Sequence, residues 1–199
     1  MRIGVLALQG AFREHIDQLA RLSVDAVEVR LPKHLAGVDA LVIPGGESTT
    51  IRKLMTDYKL IGPIGSAIKG GLPVLGTCAG MIVCAKRVDG EEVPGIGGLD
   101  VELRRNAFGR QVDSFEADVD VPILGTQPFH GVFIRAPVVE SVQPEVKILA
   151  QLKDGRIVAV RQGAVVGIAF HPELTDDDRF HRYFLKLVKE AHPVTSAAW

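Results

Sequence analysis

Three short segments combine residue types that do chemistry at spacings that let them act together. In Gly76-Thr77-Cys78-Ala79-Gly80 a cysteine stands among small residues, the G-x-nucleophile-x-G pattern of a strand-to-helix elbow with sulfur in place of a hydroxyl. Such a turn strains the backbone of the nucleophile, and only small neighbours let its two limbs pack closely. A sulfur there faces the positive end of a helix dipole, which favours thiolate, and the N–H of Ala79 is turned toward any oxyanion. In His171-Pro172-Glu173, residues two apart in extended chain project to the same side, and the proline stiffens the pair. A histidine base needs a carboxylate at its far ring nitrogen to fix the tautomer and stabilise the imidazolium. Glutamate has the reach to bend back across the roughly 7 Å of two extended residues. The third segment, Pro44-Gly45-Gly46-Glu47-Ser48, has two glycines that allow backbone N–H groups to approach a ligand closely, as an oxyanion hole requires.

Each segment alone also has a bland reading. Free cysteine is among the most buried residue types, His-Pro-Glu can be a solvated strand end, and Gly-Gly can be a simple turn. Chain order is what links them: elbow first, then base and orienter after a late strand. Cys84, in Met81-Ile82-Val83-Cys84-Ala85, has no adjacent cation or turn and reads as a packing residue. Neither phosphate-loop pattern occurs around Gly45, and Glu47 favours a ligand bearing an amine over a phosphate. No Cys/His cluster has zinc spacing, so no metal is expected, and two cysteines cannot form a disulfide framework.

The elements that must hold these segments follow from periodicity. Short apolar runs at 3–8, 26–29, 40–43 and 73–77 alternate with helical patterns at 11–22 and 50–58 and from Ala79 onward. Near-continuous apolar strands separated by helices indicate a parallel sheet covered on both faces. Strand candidates then crowd together at 99–104, 114–119, 131–134, 146–152, 157–161 and 165–170, before an amphipathic helix at 177–191. The prediction is α/β: one domain over residues 1–199, a three-layer sandwich around a mixed, mostly parallel sheet. Ligands in such sheets sit beyond the C-terminal strand ends, where Gln9-Gly10, Gly45-Gly46, Cys78 and His171 fall.

Composition bounds the function. The 199 residues are 47% hydrophobic and 24% charged, with Lys plus Arg 23 against Asp plus Glu 24 and a net charge of -1. That balance excludes disorder and offers no basic excess for nucleic acid or an anionic membrane. The longest uncharged stretch, 70–85, falls short of the roughly 20 apolar residues of a span and contains Pro73 and several glycines. The first apolar run lacks a cleavage site before Arg13-Glu14-His15, so a buried strand is expected in place of a signal peptide, and the compartment expected is the cytoplasm.

Taken together, the three chemical segments resemble the triad-type (class I) glutamine amidotransferases, whose fold is flavodoxin-like. The sequence is similar within that group to the glutaminase subunits of pyridoxal 5′-phosphate synthase. The narrower resemblance rests on Gly4-Val5-Leu6-Ala7-Leu8-Gln9-Gly10-Ala11 with Arg13-Glu14-His15, and on Gly46-Glu47-Ser48-Thr49-Thr50. It rests further on Arg105-Asn106 with the block 108–116, on Gly131-Val132-Phe133-Ile134-Arg135-Ala136-Pro137, and on His171-Pro172-Glu173-Leu174-Thr175.

The resemblance implies that Cys78 attacks the side-chain amide of L-glutamine, with His171 as base and then acid and Glu173 orienting it. Ammonia leaves before water hydrolyses the thioester to glutamate. It implies glutamine binding by Gly46, Glu47, Ser48, Arg105, Ile134 and Arg135, and an oxyanion hole from Gly45, Gly46 and Ala79. It implies no resident cofactor. The implied partner is a (β/α)₈-barrel synthase subunit in a large hetero-oligomeric complex that uses the ammonia. The stretches after Ala117 through Gln127 and at 138–146 read as slightly longer linkers than usual, and the tail 193–199 carries no motif. Two alternatives are kept: the glutaminase subunit of another complex, such as imidazole glycerol phosphate synthase, and a stand-alone cysteine hydrolase of γ-glutamyl substrates. Loss of activity in acid is expected as His171 takes up a proton.

Overall fold

The computed structural model describes residues 1–108 and 114–192; the 109–113 part of the quoted block and the tail 193–199 lie outside the described residues. In chain order the first half forms β1 (Arg2–Leu6), α1 (Phe12–Arg21), β2 (Asp25–Val29), β3 (Ala40–Ile43), α2 (Ser48–Asp57), α3 (Ile61–Lys69), β4 (Val74–Thr77), α4 (Ala79–Cys84), β5 (Ala85–Val88) and β6 (Glu91–Glu92). The second half forms β7 (Leu99–Arg104), β8 (Ser114–Val119), β9 (Phe129–Ile134), β10 (Val138–Val142), β11 (Lys147–Gln151), β12 (Ile157–Gln162), β13 (Val165–Ile168) and α5 (Arg179–Ala191).

The main sheet runs β2-β1-β3-β4-β13-β12-β10-β7-β5-β6, with β11 added on β12, and β8 and β9 pair as a separate hairpin. From β2 through β13 all neighbours are parallel. Every residue of β3, β4 and β13 is buried, as strands sandwiched between helical layers must be. The strands β7 and β9 instead alternate buried with more exposed residues, the pattern of a sheet with one face toward solvent. The order 2-1-3-4 with a fifth parallel strand is the doubly wound arrangement that opens a crevice where the order reverses, between β1 and β3. Among the described residues, no helix is long and apolar enough to cross a membrane.

Four elements escape the sequence reading. The helix α3 contains Gly62, Pro63 and Gly65, which mask its periodicity, yet the proline falls in the first turn where its missing N–H costs nothing. The strand β5 follows α4 without any intervening turn, so no stop signal separates them, and β6 is only two residues long. The stretch read as a linker at 138–146 includes β10, which bridges β7 and β12 in the main sheet. In the other presumed linker, from after Ala117 through Gln127, Pro122–Leu124 is a 3₁₀ turn.

Candidate active site

The sheet brings four strand ends together. Cys78 follows β4 directly and has φ 48° and ψ -106°, a strained conformation for a residue with a side chain. The small residues around it prove necessary. A Cβ on Gly76 would lie 2.7 Å from the Gly80 backbone, and one on Gly80 would lie 1.9 Å from the Ile43 carbonyl oxygen. The elbow therefore packs against both β4 and β3 with no room for a methyl group. The Cys78 sulfur lies 3.7 Å from the Ile134 carbonyl oxygen. Cys84 is fully buried, and burial pushes its thiol up to about 12.

The base is placed from β13. The Phe170 ring packs on Phe129, Phe133 and Phe180, at centroid distances of 5.6, 5.1 and 5.6 Å, and the His171 N–H donates to the Val132 carbonyl at 2.9 Å. The segment is not extended as the sequence suggests: Pro172–Leu174 forms a 3₁₀ turn. The turn still brings the two side chains together, with His171 Nδ1–H donating to Glu173 Oε1 at 2.7 Å. Burial opposes charge on His171, but hydrogen bonds and attraction from Cys78 and Glu173 prevail and raise it to about 10. Burial likewise works against the Glu173 carboxylate, but His15 and His171 outweigh it and hold the group below the usual range.

A cleft of about 960 Å³ opens beside these groups, lined by Gly46, Glu47, Ser48, Cys78, Ala79, Arg105, Ile134, Arg135 and His171. Glu173 and Gly45 stand behind this lining. A Cβ on Gly45 would fall 2.3 Å from the His171 ring, so glycine is required for the loop to lie on the imidazole. The Gly45 N–H is not an open oxyanion donor, because it donates to Thr77 Oγ1 at 3.1 Å. The Gly45 carbonyl accepts from the Ala11 N–H at 3.0 Å, which turns the N–H of the same trans peptide, on Gly46, the opposite way. Ala79 opens α4, so its N–H is among those left without a partner inside the helix.

The Glu47 side chain is turned from the ligand role that the sequence suggests. Its two oxygens accept from the N–H and hydroxyl groups of Thr49 and Thr50, capping α2, and these bonds hold its carboxyl down at about 2. The Glu47 N–H is in turn held by Gln9 Oε1 at 2.8 Å. Arg105 Nε is engaged by Asp89 at 2.6 Å, and Arg135 lies at the exposed end of β9 with φ 45°.

Sequence reasoning missed three buried polar residues behind the cleft. His15 on α1, His181 on α5 and Thr77 at the end of β4 are each fully buried. His15 Nε2 lies 3.0 Å from Thr77 Oγ1 and 3.4 Å from Glu173 Oε2, while its Nδ1 lies 3.0 Å from His181 Nε2. The signal was present: position 15 continues the stripe Phe12, Leu19, Leu22 at helical spacing, so a histidine there had to point inward.

Residues 5–190 match the SNO glutamine amidotransferase family. A protein of Moorella thermoacetica described as pyridoxal 5′-phosphate synthase subunit PdxT is 55% identical over 188 residues, covering 94% of this chain and 100% of its own length. A Clavibacter michiganensis protein of the same description is 57% identical over 191 residues, covering 95% of this chain and 91% of its own. A solved structure described as a glutamine amidotransferase superposes with a TM-score of 0.88 at 52% identity, covering 94% of this chain and 98% of that one. With a matching model across nearly its whole length and relatives at more than half identity, the chain belongs to the SNO glutamine amidotransferase family.

Proposed function

We propose that this chain hydrolyses the side-chain amide of L-glutamine to L-glutamate and ammonia, as the glutaminase subunit of a pyridoxal 5′-phosphate synthase. The observation that carries the reading is the alignment of Cys78, on its strained elbow, with an imidazole braced by Glu173 at 2.7 Å across one cleft. In the proposed cycle the Cys78 sulfur attacks the amide carbon as His171 holds the sulfur's proton. The tetrahedral oxyanion receives the N–H groups of Gly46 and Ala79. His171 gives its proton to the leaving nitrogen, the C–N bond breaks and ammonia departs, leaving a thioester. Water then attacks the thioester, delivering a proton to His171, and the sulfur leaves to release glutamate.

Glutamine's own charges need an anion near the ammonium and donors near the carboxylate, and we assign this recognition to the cleft walls at Gly46, Glu47, Ser48, Arg105, Ile134 and Arg135. With the Glu47 carboxylate tied to its helix, the loop backbone and the arginines carry most of that burden. The ammonia goes to a synthase subunit, for which we expect a (β/α)₈ barrel in a large complex. We read residues 1–199 as one glutaminase domain, supported by the continuous sheet that joins both halves of the chain. Two free cysteines, one of them the nucleophile, suit the reducing cytoplasm.

Glutamate release with and without the synthase subunit, for wild type and Cys78→Ala, tests the proposal. Turnover is expected in the presence of the partner, with Cys78→Ala losing about a thousandfold or more while still assembling. Full turnover by Cys78→Ala would sink the mechanism. Full activity of the isolated chain would favour a stand-alone hydrolase, and capture of a histidine-pathway cyclase would reassign the partner.

A further inference from the structure

We infer that His15, with its tautomer fixed by His181, is a positioning residue for the triad: it presents its Nε2–H to the second oxygen of Glu173 and so holds the carboxylate against His171. This inference rests on the Cys78–His171–Glu173 reading.

The starting point is a carboxylate with only half its partners. Glu173 Oε1 accepts from His171, whereas Oε2 is buried and has no hydrogen bond of ordinary geometry among the described residues. A buried carboxylate oxygen without a donor is costly, and a carboxylate held at one oxygen is free to pivot about that contact. The nitrogen facing Oε2 is His15 Nε2, 3.4 Å away, a distance that a modest rotation converts into a charge-assisted hydrogen bond.

Two proton arrangements are available to the chain of groups, and they are not equal. In the first, His181 Nε2–H donates to His15 Nδ1, and His15 Nε2–H is directed at Glu173 Oε2 and Thr77 Oγ1. Only an imidazole lone pair on His181 Nδ1 and the Thr77 hydroxyl proton are then left unmatched. In the second, Thr77 donates to His15 Nε2, and His15 Nδ1–H donates to His181 Nε2. That arrangement leaves the His181 Nδ1–H buried without an acceptor, since this atom has no partner. It also sets a nitrogen lone pair against the Glu173 carboxylate. An unpaired buried N–H together with an unpaired carboxylate oxygen costs more than an unmatched lone pair and hydroxyl, so the first arrangement prevails. Both histidines are kept uncharged by burial, which fits a neutral donor in place of an ion pair.

Thr77 extends the arrangement to the other side of the site. Its hydroxyl oxygen accepts from the Gly45 N–H at 3.1 Å, so the atom beside His15 also holds the loop that supplies the oxyanion donors. His15 thus lies where the carboxylate and the Gly45-Gly46 loop meet.

The test compares His15→Leu, which removes the N–H, with His15→Gln, which places an amide N–H at about the reach of imidazole Nε2. Glutamine hydrolysis is measured in the complex with the synthase partner. His15→Leu is expected to lower kcat about tenfold to a hundredfold, with KM for glutamine changed far less, and His15→Gln to recover most of that loss. Equal kcat in His15→Leu and wild type, or a His15→Gln no better than an equally folded His15→Leu, would overturn the role. Should His15→Leu fail to fold, imidazole ¹⁵N NMR of the full wild-type chain decides: a neutral Nε2–H tautomer at His15 is expected, and an Nδ1–H tautomer would overturn the inference. If wild type itself releases no glutamate in the complex, it is the glutaminase reading that fails.

Discussion

At neutral pH the His171 imidazole already holds the proton that the departing ammonia will need. Raised to about 10 against an ordinary 6.5, it keeps this proton throughout the range from pH 5 to 8. The simple expectation that acid inactivates by protonating His171 therefore gives way. On the alkaline side, kcat/KM of the assembled enzyme is expected to hold through neutrality and fall as pH climbs toward about 10, because the general acid is then lost. A rate governed by one ionisation near 6.5 would contradict this. Of the residues involved, Cys78, His171 and Glu173 were readable because each sits in a short motif with Gly or Pro at a fixed offset. His181 and Thr77 were not, because their polar partners come from distant segments of the chain, and for His15 only its place on the inward stripe of α1 was available as a signal. Glu47 stood out for its place in the loop, but its engagement with Thr49 and Thr50 belongs to the helix start, where an acidic cap was the available signal.

The elements contribute through how firmly they set each side chain. Phe170 is fully buried in an aromatic cluster that joins β9, β13 and α5, and it immediately precedes the base. Phe170→Ala is expected to cost about 3–5 kcal/mol in denaturant unfolding and to lower turnover with it, since the strand end would relax into the cavity. Stability unchanged within error would show that the cluster does not support the site. At α2, Glu47→Ala removes the cap and is expected to cost about 1 kcal/mol, read as a lower urea midpoint with the same slope. The elements legible in advance were those with a pure period: β3, β7 and β8 fall at their expected limits because apolar runs or alternation end at polar or Gly/Pro neighbours. The helix α3 was hidden by its glycines and proline, and β5 by its direct junction to α4.

Among the described residues, the buried groups around the site, His171, His15, His181 and Glu173, shape how stability varies with pH. His171, raised, contributes fully below 6.5 and loses that contribution as pH rises through about 10. His15 and His181 act in the opposite range. Both are lowered, His181 to about 3, so below 6.5 the unfolded chain binds protons that the fold refuses, and stability declines as pH falls. Glu173, lowered from 4.5, adds to the acid loss as pH drops through its folded value. The melting temperature is therefore expected to peak near neutrality and decline on both sides, with His181→Leu flattening the acid limb. A melting temperature constant from roughly pH 7 to 4.5 would count against this.

The pairing of β4 with β13 joins residue 74 to residue 165 and sets the sulfur-bearing strand end beside the imidazole-bearing one. No fragment lacking either half can present both reactants, and contacts spanning so much chain form late and slowly. Regained turnover after dilution from denaturant should consequently lag the return of helical signal, making hydrolysis itself a stopwatch for that closing step.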